Sequence, residues 1–284
     1  MIGVFDSGVG GLSVWREMIK LMPGERFVYV SDSGHCPYGP KPREEVIKRS
    51  CKITEYLIER GADMIVVACN TATAAAIEYL RTSYTIPFVG MEPAVKPAAL
   101  NTSTGVIGVL ATQGTFKGEL YLRTLHKFAV NATVIEQIGE GLVELVEEGK
   151  TNTPAAKELL KKYLIPMMER HADHLVLGCT HYPFLIEAIQ NIIGDKMIIV
   201  NPAPAVAKWV KEVADAQMEG ERADTNVMQM AEDAHAEKGC VKKECGTALN
   251  EFVTTGNNIE LIRTIVHSIV PDCADKYIYN HIAL

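Results

Sequence analysis

Two cysteines offer this chain its chemistry. Cys69 follows the apolar run Met64-Ile65-Val66-Val67-Ala68 and precedes Asn70-Thr71 and an alanine-rich stretch. Cys179 follows His174-Leu175-Val176-Leu177-Gly178 and precedes Thr180-His181-Tyr182-Pro183. Each run reads as a strand buried on both faces, as in a parallel sheet. Each thiol therefore falls at the carboxyl end of a strand, where open α/β sheets bind ligands. Two thiols facing each other across one carbon suit inversion by two bases: one thiolate takes a proton, and a thiol on the other face returns one. A helix start after each cysteine is expected to lower the thiol pKa and to offer backbone N–H groups to a carboxylate. Asn70, Thr71 and Thr180 stand where they could bond that carboxylate and stabilise charge developing as the α-proton leaves. Asp6, at the end of the first apolar run, is assigned to support Cys69, with Ser7 on the same wall, and His181 to support Cys179.

Each of these residues also has a plainer reading. A cysteine after an apolar strand is by default a small core residue. Two in equivalent settings, each followed by polar helix-start residues, favour function. Asp6-Ser7 could simply cap the next helix, and His181 could be structural. His171 and His174 fit a helix end, without the companions a metal site needs. Cys240 and Cys245 lack zinc spacing and read as solvent-facing thiols. Gly8-x-Gly10-x-x-Ser13 with Asp32 imitates a dinucleotide fingerprint, but the third glycine is missing and Asp6 would repel a pyrophosphate. The Cys-x5-Arg loop of thiol phosphatases is absent too, since Ala75 and Leu185 occupy the sixth positions.

The elements that must position the thiols alternate between strand and helix. Strands are expected at Ile2 to Phe5, Phe27 to Val30, the run before Cys69, and Ile86 to Gly90. Helices are expected over Leu12 to Leu21 and Arg43 to Glu59, the latter ending at Gly61. A second series begins at Gly105. It has strands at Val106 to Leu110, Ala132 to Ile135, the run before Cys179, and Met197 to Val200. Its helices cover Lys117 to Phe128, Leu142 to Glu148, Thr153 to Arg170 and Phe184 to Ile193. The two series align, Ile2-Gly3-Val4-Phe5 with Ile107-Gly108-Val109-Leu110 and the two cysteine strands with each other. The fold class is thus α/β: two pseudo-symmetric parallel-sheet domains with the site in the cleft between them. Residues 1–93 plus 206–284 are expected to form the first domain and 94–205 the second. A helix from Ala205 to about Met218 returns the chain to the first domain. Gly220 to Gly246 reads as a charged surface excursion, and Glu251 to Gly256 with a helix at Ile259 to Ile269 finishes that domain.

Length and composition agree with a soluble enzyme. The 284 residues are 48% hydrophobic and 22% charged, ordinary values for a globular protein. A net charge of −7 argues against nucleic acid or an anionic membrane as a partner. No apolar run approaches a membrane span, and the first residues do not read as a signal peptide. Seven cysteines, an odd count, suggest free thiols rather than a disulfide framework.

Four segments together resemble the glutamate racemases of the cofactor-independent aspartate/glutamate racemase superfamily. They are Phe5-Asp6-Ser7-Gly8-Val9-Gly10-Gly11-Leu12-Ser13-Val14, Pro37-Tyr38-Gly39, Ala68-Cys69-Asn70-Thr71-Ala72 and Leu177-Gly178-Cys179-Thr180-His181-Tyr182-Pro183. Thr254-Thr255-Gly256 looks like the closing segment of that family. The resemblance implies that Cys69 works on the D-enantiomer and Cys179 on the L-enantiomer of glutamate, with no cofactor and no metal. It implies substrate contacts at Asp6, Ser7, Tyr38, Gly39, Asn70, Thr71, Thr180 and His181, with Thr112 and Thr115 as further carboxylate contacts. An accessory acid near the second thiol would be Glu147 or its neighbour Glu148. A homodimer supplying D-glutamate for peptidoglycan in the bacterial cytoplasm is also implied. Departures are Gly34-His35-Cys36 before Pro37, Asn201-Pro202, and the charged excursion; Cys36 would be an oxidation liability. Two rival readings remain at this stage: a racemase of another acidic amino acid, chiefly aspartate, and a two-lobed protein that binds an amino acid without converting it.

Overall fold

A computed structural model describes residues 1–229 and 249–284, with side chains described to Gln217 and again from Leu249. The strands are β1 (Ile2–Asp6), β2 (Phe27–Ser31), β3 (Met64–Val67), β4 (Phe88–Gly90), β5 (Val106–Ala111), β6 (Thr133–Ile138), β7 (His174–Gly178), β8 (Ile198–Val200), β9 (Glu251–Thr254) and β10 (Ile278–His281). The helices are α1 (Leu12–Leu21), α2 (Arg43–Glu59), α3 (Asn70–Ser83), α4 (Val95–Asn101), α5 (Gln113–Phe116), α6 (Glu119–Phe128), α7 (Leu142–Glu147), α8 (Pro154–Glu169), α9 (Ile186–Ile193), α10 (Ala203–Gln229) and α11 (Ile259–Ile269).

The strands form two sheets, of order β10-β9-β2-β1-β3-β4 and β6-β5-β7-β8. Every strand pair is parallel. Parallel strands need crossover helices, which cover both faces and demand apolar side chains on each; β1, β2, β3 and β7 are accordingly buried at every residue. The order β2-β1-β3-β4 in one sheet is repeated as β6-β5-β7-β8 in the other, so the internal repeat legible in the sequence is real. Each cysteine leaves the strand beside the first strand of its own series: β3 pairs with β1, and β7 with β5.

The first lobe is closed by residues from the far end of the chain. β9 pairs with β2 and β10 with β9, while α10 packs on α1. Trp15 of α1 is fully buried and stands edge-on to Phe252 of β9, with ring centroids 5.0 Å apart, and to Tyr277, 6.4 Å away. An apolar cluster continues from this core into the second lobe through Val9, Leu142, Val143, Val146 and Tyr182.

Several expectations are corrected. The helix expected over Lys117 to Phe128 is two helices, α5 and α6, divided at Gly118. A Cβ at Gly118 would lie 2.5 Å from the Ala74 Cβ of α3, so that break lets the lobes approach. The helix expected from Phe184 starts instead as a 3₁₀ turn over Tyr182–Leu185, with Pro183 inside it, before α9. Helix α4 and strand β10 lacked a signal strong enough to read. Helix α10 runs to Gln229, into the stretch expected to be a surface excursion. The remainder of that stretch, with Cys240 and Cys245, lies outside the described residues. Cys36, Cys51, Cys69 and Cys179 are free thiols, but Cys273 is disulfide-bonded, against the expectation drawn from the odd cysteine count. Among the described residues no helix is long and apolar enough to cross a membrane.

Because Trp15 ties α1 to the C-terminal strand, Trp15→Ala is expected to cost about 3–5 kcal/mol, measured by chemical denaturation. A loss of only about 0.5 kcal/mol, typical of surface changes, would contradict this account of the core.

Candidate active site

Cys69 leaves β3 in an extended conformation and is the N-cap of α3. Its sulfur accepts the Ala72 N–H at 3.4 Å and sits 3.8 Å from the Ser7 hydroxyl. Asp6 ends β1 beside it and is fully buried. The Asp6 carboxylate accepts the Ser7 N–H at 2.6 Å, the Gly11 N–H, and the Thr180 hydroxyl at 3.1 Å from the opposite lobe. Burial pushes the Asp6 carboxyl up, against the pull of His181 and of hydrogen bonds from Cys69 and Thr180. Burial, followed by the neighbouring Asp6 charge, also pushes the Cys69 thiol well up; the Ala72 and Ser7 N–H groups oppose this without prevailing. A lowered thiol pKa from the helix start was the expectation, but desolvation outweighs the helix in this buried setting.

Cys179 is built differently. It is followed by Thr180 and His181 and then by the 3₁₀ turn, so no α-helix starts directly after it, contrary to the expectation for both cysteines. Its sulfur lies 3.7 Å from His181 Nδ1, and His181 Nε2 lies 2.7 Å from Glu147 Oε1. The Gly10 turn makes room for this imidazole, since a Cβ there would fall 2.3 Å from His181 Nδ1. Glu147, the last residue of α7, also accepts the Val9 N–H at 2.6 Å, Asn258 Nδ2 at 3.0 Å and the Ser33 hydroxyl at 3.3 Å. Thr254 donates to Asn258 Oδ1 at 2.7 Å and steadies that amide. Glu148 instead pairs with Lys150 at the surface. Glu147 is therefore the acid that meets the histidine.

Burial disfavours both charges of this pair, but their mutual contact reverses it. Burial would lower His181, yet contacts with Cys179, Cys36 and Glu147 hold its pKa well above the ordinary histidine value. Burial would raise Glu147, yet bonds from His181, Val9 and Ser33 hold its carboxyl below the usual range. The raised histidine stabilises the fold fully below the ordinary histidine value, and that contribution is lost as pH rises through the folded value. The depressed glutamate stabilises above the ordinary carboxylate value, and its contribution is lost as pH falls through the folded value.

Both thiols line one cleft between the lobes, with Ser7, Pro37, Tyr38, Gly39, Asn70, Thr71, Thr112, Val143, Thr180 and His181. Asp6, Glu147 and Thr115 stand behind this wall and support Ser7, His181 and Thr112. The hydroxyls of Thr71 and Thr112 meet across the cleft at 2.8 Å, and Thr115 continues the chain at 3.0 Å. The Asn70 amide oxygen is buried without a hydrogen-bond partner. Tyr38 also lines the cleft. Its hydroxyl donates to Asp32 Oδ2 at 2.5 Å, in a buried network with Arg49 and Thr255, so only its ring and backbone face the cleft. The cleft is closed down to about 10 Å³ of free volume, roughly one water molecule. A groove of about 440 Å³ adjoins it beyond Thr71 and Gly114 and carries Lys41, Arg43 and Lys117. That wider groove has neither thiol; the narrow cleft holds both.

Val143, Ser33, Asn258 and Arg49 were not singled out in the sequence, and Asp32 was weighed there only as part of a dinucleotide imitation. Their roles arise from contacts over long separations, and no local pattern announces them.

Residues 2–210 match the family described as Asp/Glu/Hydantoin racemase. The chain belongs to this family. A glutamate racemase of Herpetosiphon aurantiacus is 45% identical over 215 residues, covering 76% of this chain and 85% of that protein. One from Ectopseudomonas mendocina is 49% identical over 213 residues, covering 75% of this chain and 81% of that protein. Among solved structures, a glutamate racemase isoform from Bacillus anthracis superposes with a TM-score of 0.77 at 29% identity, covering 100% of this chain and 97% of that one. Within the racemase family, paired thiols in one cleft are the feature of this chain on which any reading of its reaction must rest.

Glu147→Gln keeps the shape of the pair and removes its charge. The His181 imidazole is expected to titrate at lower pH in this variant, followed by NMR. An unchanged titration would mean that the carboxylate does not hold the proton.

Proposed function

We propose that the protein is a glutamate racemase, an isomerase that interconverts L- and D-glutamate by proton transfer at the α-carbon between two thiols. The observation that carries this reading is the placement of Cys69 and Cys179, one from each lobe, on the walls of a single small cleft. Cys69 takes the α-proton of D-glutamate, and Cys179 returns one to the opposite face; the L-enantiomer runs the roles in reverse. His181 holds or supplies the Cys179 proton, steadied by Glu147, and Asp6 does the same for Cys69. Asn70, Thr71 and Thr180 hold the α-carboxylate, with the unpartnered Asn70 oxygen turned to the ammonium. Ser7, Gly39, Thr112 and the ring of Tyr38 complete the pocket, and Thr115 backs Thr112. Since the closed cleft has room for little more than water, the lobes separate to admit substrate.

The lobes correspond to residues 1–93 plus 206–284 and to 94–205. The separate sheets support this reading, and so does α4, which packs on β5 and β7. The enzyme works as a homodimer in the bacterial cytoplasm and supplies D-glutamate for peptidoglycan. Glutamate is preferred over aspartate because the relatives above, at 45% and 49% identity, are glutamate racemases.

Cys69→Ala and Cys179→Ala are each expected to lower racemisation roughly 10²–10⁴-fold, measured by circular dichroism with both enantiomers of glutamate and aspartate. Solvent deuterium should enter the α-carbon in the wild type. Wild-type exchange rates in both variants would overturn the two-thiol reading, binding without exchange would favour a carrier, and faster turnover of aspartate would overturn the substrate.

A further inference from the structure

We propose that Cys36, Glu147 and His181 form a binding site for one thiophilic divalent ion such as Zn²⁺, which on binding takes the place of the direct His181–Glu147 contact. The thiol, carboxylate and imidazole donor atoms all lie within 4.8 Å of one another. They come from the loop before Pro37, the end of α7 and the loop after β7, so no spacing in the sequence announces them.

The donors suit the metal. Sulfur, nitrogen and carboxylate oxygen are the usual zinc ligands, at about 2.0–2.3 Å from the ion. Tetrahedral binding at those lengths puts ligand atoms roughly 3.3–3.8 Å apart, which asks for movements of about an ångström or less. Three protein ligands leave the fourth position to water. The carboxylate is already aimed by hydrogen bonds from Val9 and Asn258 at 2.6 and 3.0 Å, the kind of outer support that fixes a metal ligand. Gly8 lies beneath: a Cβ there would fall 1.8 Å from Glu147 Oε1 and 3.1 Å from Cys36 Sγ. Only glycine leaves these two side chains their shared space.

Binding involves no oxidation. The ion replaces the thiol proton of Cys36 and the proton on the ligating nitrogen of His181, and both protons go to solvent. Glu147, already ionised, releases none. A filled site would hold His181 as a metal-bound imidazole, without the Glu147 contact that favours its proton, and so slow proton return at Cys179; this consequence alone rests on the racemase reading.

The test titrates Co²⁺ into the untagged, reduced, full-length protein and follows thiolate-to-cobalt charge-transfer absorption. One equivalent giving that band in the wild type, and none in Cys36→Ser, is expected; Cys36→Ala serves if the serine variant misfolds. Zn²⁺ should inhibit racemisation reversibly with EDTA, and the Cys36 variants should need at least about tenfold more of it. An absent band in the wild type overturns the site. So does a band or an inhibition unchanged in the Cys36 variants, which would assign the metal to Cys69 or Cys179. A Cys36-dependent band in a protein without racemase activity would leave the site standing and remove the racemase reading.

Discussion

The seam between the lobes is buried, and its charged groups are answered by one another, while the Asn70 amide oxygen is left without a partner. Asp6 and Thr180 are essentially inaccessible to solvent, and so are Cys69, Cys179 and His181. A buried carboxylate without partners would give up its charge. Asp6 has four N–H or O–H donors, one of them from the opposite lobe. Glu147 belongs to the second lobe, yet Val9, Ser33 and Asn258 of the first lobe bond it. Asp6 and Glu147 thus keep these partners only while the two halves touch.

The repeat supplies symmetry of position and not of chemistry. Both thiols follow the third strand of their series. Cys69 caps a full α-helix and faces a carboxylate, whereas Cys179 precedes a 3₁₀ turn and faces a histidine held by a second acid. Like thiols thus have unlike partners, although each would exchange the same atom, a proton, with its own face of a planar carbon.

The sequence made the parallel α/β class, the internal repeat and the two thiols legible, because buried strands and glycine-rich loops write themselves locally. Helix α2 was read with its observed limits, Arg43–Glu59. What escaped has a common cause. The break at Gly118 answers to Ala74 of another helix, and the Tyr38 hydroxyl turns to Asp32 because Arg49 has already fixed that carboxylate. Asn258 reaches Glu147 across 111 positions of sequence. The Cys69 thiol is pushed up rather than down for a related reason: helix starts can be read from residue types, but the depth of burial cannot.

The sheet order also bears on how the chain is made. Strands β5 to β8 form their sheet from one unbroken stretch, whereas β1 to β4 are joined by β9 and β10 from beyond residue 250. Chains fold as they leave the ribosome, the earlier parts first where these are self-sufficient. Here the half that emerges first is left with an open sheet edge at β2, and the half that emerges second can be completed before it. Strands β1 to β4 must therefore wait, with that edge exposed, until residues beyond 250 have been made.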